Sequence, residues 1–260
     1  MKRILAIGVA PAVLGVVAAF FRAKELAFSF DFATGLPNGA LVITPILLVL
    51  AAVLLVLCLV FPRRIVQEPA PERAHPGLAA VSLFGCAVLL ALGALELYEN
   101  QLARDMILYI HCALTFVTAA ALAVLGLRGL RWSANSAYSV CGILPVLWAC
   151  FSLILIFRER IADPIIADYV FLLFAFVCIL LFTYAQAGYV YRRNRLRVAL
   201  CVTVLGVYFC VIELFAPLIA AQLSSAYPKN YDFTLLLPLA LFAVYMPAAT
   251  GCMLSNENGV

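Results

Sequence analysis

The chain predicts an all-α, polytopic transmembrane bundle, and three observations carry that prediction. Of 260 residues, 67% are hydrophobic and only 12% are charged, against about 25% charged in an average soluble domain. The mean hydropathy is +1.11. Apolar residues also run on continuously for about 20 positions at a time, the length a helix needs to cross about 30 Å of hydrocarbon, whereas a barrel strand alternates. No soluble fold of this length hides that much apolar surface. Lipid is the expected solvent, and helices satisfy their own backbone groups in it.

Eight windows between charged residues meet this length. The first, Ile4 to Phe21, follows Met1-Lys2-Arg3. It is longer than the usual apolar core of a cleaved leader, and its small-x-small sites lie inside the run, so it is expected to stay as a signal-anchor helix. The others are Ala40 to Phe61, Gly77 to Leu97, Met106 to Leu127, Ala137 to Phe157, Ile165 to Val190, Val198 to Ala221 and Phe233 to Met253. The third ends on Glu96 and the seventh is interrupted by Glu213. The connections leave no room for a separate soluble domain. The nine cysteines all lie in apolar runs with no C-x-x-C pair and read as small core hydrophobes.

An even number of spans puts both termini on one side. That side collects Lys2, Arg3, Arg63, Arg64, Arg73, Arg128, Arg131, Arg192, Arg193, Arg195 and Arg197, eleven of the seventeen basic residues. The positive-inside rule makes it cytoplasmic. The net charge of +4 is then a topology signal. Arg192, Arg193, Arg195 and Arg197 are expected to meet anionic lipid headgroups, and nucleic acid is not an expected partner.

Punctuation recurs between residues 1–130 and 131–260, which would make two four-helix halves of one integrated membrane domain. Pro11 and Pro145 sit mid-helix and are followed by Phe21-Arg22-x-Lys24 and Phe157-Arg158-x-Arg160. Phe61-Pro62-Arg63-Arg64 answers Tyr191-Arg192-Arg193, Glu96-Leu97-Tyr98 answers Glu213-Leu214-Phe215, and Asp105 answers Asp232. The expectation is a four-plus-four duplication whose halves are related by a rotation along the membrane normal. The stretch Phe30-Asp31-Phe32-Ala33-Thr34-Gly35-Leu36-Pro37, with Asp168-Tyr169 and Tyr184-x-x-Ala187-Gly188, resembles a group of uncharacterised polytopic membrane proteins of Gram-positive anaerobic bacteria. The resemblance implies a bacterial cytoplasmic membrane and carries no activity.

Ionisable groups inside a bilayer cost roughly 2.5 to 3.5 kcal/mol each at mid-helix, so each asks for a reason. Counted at about 1.5 Å per residue, Glu96, Glu213 and His111 share the outer third of the membrane. Pairing of His111 with a carboxylate would build an outward-facing polar pocket, with Tyr109, Gln101, Asn100 and Asp168 as rim candidates. The plainer reading has Glu96 snorkelling to water, Glu213 anchoring a helix contact and His111 as a satisfied interhelical residue. The loop with Phe28, Phe30 and Phe32, joined by Tyr98, Tyr169, Tyr227 and Tyr231, reads as an interfacial aromatic belt or as a lid over that pocket.

The chain has no phosphate loop, no H-E-x-x-H pair and no G-x-S-x-G serine, and its histidines are His75 and His111 alone. No cofactor, no metal and no catalytic residue is therefore expected. The sequence points to a non-enzymatic protein that binds a small ligand or a membrane partner, of sensor or accessory type. A small secondary transporter or permease subunit is the second reading.

Overall fold

The structure is a computed structural model that describes residues 2–30, 38, 41–60, 76–103, 105–130, 136–160, 166–191, 196–224 and 233–257. The described residues form eight helices: α1 Lys2–Phe28, α2 Ile43–Val60, α3 Pro76–Ala103, α4 Met106–Arg128, α5 Ser136–Arg160, α6 Ile166–Val190, α7 Leu196–Leu223 and α8 Phe233–Glu257. Seven of them, α2 to α8, are long and apolar enough to cross a membrane. In α1 the apolar run is followed by Arg22, Lys24 and Glu25 before the helix ends at Phe28. The prolines at 11, 145, 217, 238 and 247 lie within continuous helices.

Helices α3 to α8 each pack on the next, and α8 returns to α3, so the six form a closed ring. α1 runs along α7 and touches α8, while α2 lies outermost on α7 and α1. Burial follows this order: buried positions make up 67% of the α7 window and 17% of the α2 window. A helix apolar on all sides belongs in the middle of a bundle, and α7 occupies that place. Small residues set the closest contacts, as is usual where no water drives helices together. A Cβ built on Gly15 of α1 would stand 2.9 Å from Val211 and 3.1 Å from the Tyr208 carbonyl of α7. One on Gly126 of α4 would stand 2.1 Å from the Ser82 Cβ of α3.

The ring is not twofold symmetric. α1 packs along α7, but α5 and α3, their counterparts in a four-plus-four duplication, are not a packed pair. Likewise α6 packs on α7, while α2 and α3 do not pair.

Candidate functional site

Among the described residues, two clusters that contain charged side chains lie inside the bundle. The first joins α1 to α2. Arg22 and Glu25 are each 1% exposed and sit three residues apart, one turn along α1, so a short ion pair of 2.8 Å closes between them. Glu25 then reaches the start of α2: its Oε1 accepts from the Ile43 and Thr44 backbone N–H groups at 3.1 Å, and its Oε2 accepts from the Thr44 hydroxyl at 2.6 Å. These are N–H groups that the first turn of a helix cannot satisfy by itself. The Arg22 guanidinium also donates to Thr44 Oγ1 at 2.8 Å and lies over the Phe171 ring of α6 at 5.2 Å. In the sequence Arg22 stands at the charged end of the first apolar run; the fold buries it within the bundle.

The second cluster joins α3, α4 and α5. His111 Nδ1 is 3.2 Å from Glu96 Oε2, and its Nε2 is 2.9 Å from Ser152 Oγ. Ser152 donates back to the Trp148 carbonyl one turn earlier at 2.9 Å. Trp148 Nε1 donates to Thr115 Oγ1, which in turn donates to the His111 carbonyl at 3.0 Å or to Glu96 Oε2 at 3.4 Å. Trp148 is stacked between His111 and Phe242, with ring centroids 6.0 and 5.7 Å away. Glu96 and His111 are each 6% exposed. Glu96 therefore does not snorkel to water, as its plainer reading had it; it turns inward because α3 continues past it to Ala103 and α4 supplies a polar partner.

A cavity of about 160 Å³ opens on this cluster. Its walls come from Leu92, Glu96 and Glu99 of α3, Leu108 and His111 of α4, Trp148, Ser152 and Glu159 of α5, and Thr234 and Pro238 of α8. The C-terminal ends of α3 and α5 and the N-terminal ends of α4 and α8 meet there, so it lies at one end of the ring. Glu99 and Glu159 are exposed. Beside it, Asp105 caps α4 by accepting from Ile107 N–H and pairs with Arg158. The Arg158 hydrogen bond, with the Ile107 N–H second, holds the Asp105 carboxyl below the usual carboxylate range. Asn100, fully buried, secures that cap through two hydrogen bonds to the Asp105 backbone.

Of the sequence-derived site residues, the fold brings Glu96 and His111 together. Glu213 does not join them: it is half-buried on α7, whose packed neighbours are α1, α2, α6 and α8, and it is not in the cavity wall. Tyr109 is 39% exposed on α4 and is likewise not in the wall. The side chains of Gln101 and Asp168 lie outside the described residues, as do Arg192, Arg193 and Arg195; Arg197 is exposed at the start of α7. Of the aromatic belt, Tyr98 is exposed and Phe30 and Tyr169 are buried, while Phe32, Tyr227 and Tyr231 lie outside the described residues.

Sequence reasoning missed Trp148, Ser152, Glu99 and Glu159. A spacing signal was there to find. Trp148, Ser152, Leu155, Ile156 and Glu159 form one helical stripe at i, i+4, i+7, i+8 and i+11, and Leu92, Glu96 and Glu99 form another. No family model, no curated protein and no solved structure matches the chain.

Proposed function

We propose that this is an integral membrane protein that binds a small ligand in an outward-facing polar pocket, in a sensor or accessory role. The observation that carries the reading is the cavity built on the buried Glu96–His111–Ser152 network, which is open at one end of the ring. Ligand sites are few, concave and mostly apolar with a small number of placed polar groups. This one fits that description at a small size.

Continuity of all the described helices favours binding over transport, because transporters generally build midplane sites from broken helices. The second reading, a small secondary transporter or permease subunit, predicts counterflow of an occupant in proteoliposomes. Binding alone predicts none.

The membrane placement belongs to the same proposal: eight spans including α1, both termini in the cytoplasm of a cytoplasmic membrane, and the cavity facing out. The Lys/Arg distribution supports it. Asn230→Cys should react with a membrane-impermeant thiol reagent in intact cells and Asn194→Cys should not; the reverse pattern inverts the topology. A four-plus-four origin rests on the sequence punctuation alone, and the asymmetric packing tells against two equivalent halves.

The binding itself is tested by a thermal-shift screen of neutral, cationic and anionic small molecules on the purified chain. At least one class should stabilise the wild type and leave Leu155→Trp, which fills the cavity, unmoved. A blank screen rejects the pocket as a binding site.

A further inference from the structure

We infer that the cavity takes a small aliphatic ammonium ion, with Glu96 as its counter-ion; this rests on the ligand-binding reading above and adds the class of ligand. Among the described residues the charged lining is of one sign. Glu99 and Glu159 stand exposed, Glu96 lies buried within, and no lysine or arginine is among the described lining residues. A cleft of one charge sign concentrates the opposite ion. Arg158, next to Glu159 in the chain, pairs with Asp105 and also lies within the field of Glu159.

Glu96 itself is not saturated. Among the described residues both of its hydrogen bonds end on Oε2, from His111 Nδ1 and Thr115 Oγ1. That leaves Oε1 as the polar atom this nine-tenths-buried side chain offers to the cavity it lines. The carboxylate thus has one oxygen for the protein and one for an occupant.

The network around Glu96 holds it in place for an occupant. His111 Nδ1 stands 3.2 Å from Glu96 Oε2, and its Nε2 stands 2.9 Å from Ser152 Oγ, which is fixed in turn to the Trp148 carbonyl one turn earlier. Among the described residues, the other charged groups lining the cavity are Glu99 of α3 and Glu159 of α5, with the Asp105–Arg158 pair beside it; Thr234, Leu235 and Pro238 of α8 add none.

The remaining wall fixes the kind of cation. Leu92, Leu108, Leu155, Ile156 and Leu235 present hydrocarbon, and about 160 Å³ is close to cavities of about 150 Å³ that hold a benzene-sized molecule. No three His, Cys, Asp or Glu side chains among the described residues converge as a metal site. An alkyl chain of a few carbons ending in an ammonium group satisfies both the wall and Glu96.

Calorimetry on the purified full chain in lipid nanodiscs, with n-butylammonium, n-butanol and butyrate as probes, tests this. The ammonium should bind at least about tenfold more tightly than the other two. Glu96→Gln should weaken it about tenfold or more. Should that variant fail to fold, Glu99→Gln and Glu159→Gln, both exposed, should each weaken binding and flatten its salt dependence. Equal binding of butanol or of butyrate overturns the proposal while the pocket stands. If no probe binds but the wider screen finds an occupant that Leu155→Trp excludes, the ligand class alone is wrong. If that screen is also blank, the binding reading fails with it.

Discussion

The Arg22–Glu25–Thr44 cluster and the Glu96–His111–Ser152 cluster both bury carboxylates in an apolar bundle, and they differ in how completely those carboxylates are used. Glu25 spends both oxygens on protein groups: two backbone N–H groups on one, an arginine and a threonine hydroxyl on the other. Glu96 spends one oxygen and faces open space with the other. A saturated buried carboxylate is a structural joint, and a half-saturated one beside a cavity is a receptor for charge.

Removing each carboxylate should separate the two. Glu25→Ala removes the buried Arg22–Glu25 ion pair and the cap of α2, a loss of about 3 to 5 kcal/mol for breaking a buried pair. Little folded, monodisperse protein should survive extraction, and any that does should bind butylammonium like the wild type. A folded yield near wild type would make the joint an ornament. Gly15→Leu comes next, since its side chain would enter the space of Val211 and the Tyr208 carbonyl. Overpacking of this kind costs about 1 to 3 kcal/mol, visible as a lowered thermal midpoint with binding preserved.

Glu96→Gln should fall in the opposite class, with a thermal midpoint near wild type, because the amide can still accept from His111, and with weakened ammonium binding. Glu213→Gln should change neither measurement beyond the roughly 0.6 kcal/mol typical of one hydrogen bond in a membrane protein. If it abolishes binding, the site extends to α7 and Glu96 is not its sole buried carboxylate.

The smallest effect belongs to the surface pair Asp105–Arg158. The folded pKa of Asp105 is depressed, so its contribution to stability is present above the ordinary carboxylate value of about 3.9 and is lost as pH falls through the lower folded value. Asp105→Asn should therefore melt slightly earlier than wild type near neutral pH, and the two should converge below that range. A gap that persists in strong acid would assign the effect to the cap geometry instead of the charge.

Much of the fold was legible because a bilayer imposes lengths: each apolar window reappears as a helix within a few residues of its charged borders. Neighbour relations were not legible. Glu213 and His111 lie at similar depths by residue counting, yet depth says nothing about azimuth, and the ring order puts α7 away from α3 and α4. Arg22 misled for a related reason. A charge at the end of an apolar run reads as a boundary residue, yet Glu25 one turn on, Thr44 of α2 and Phe171, far along the chain, are among the groups that let it be buried. The Glu96–His111 pairing was within reach because α3 and α4 are joined by a short connection and so pack as an antiparallel hairpin.

The stacking of Trp148 against His111 has a practical consequence for watching this protein at work. The chain has two tryptophans, and Trp132 lies outside the described residues, so Trp132→Phe leaves a single indole emitter whose ring lies 6.0 Å from the imidazole. That ring and the imidazole both line the cavity. The emission of that variant therefore reports on the cavity without an added dye, and an occupant that settles against the indole should register as a change in brightness on the timescale of mixing.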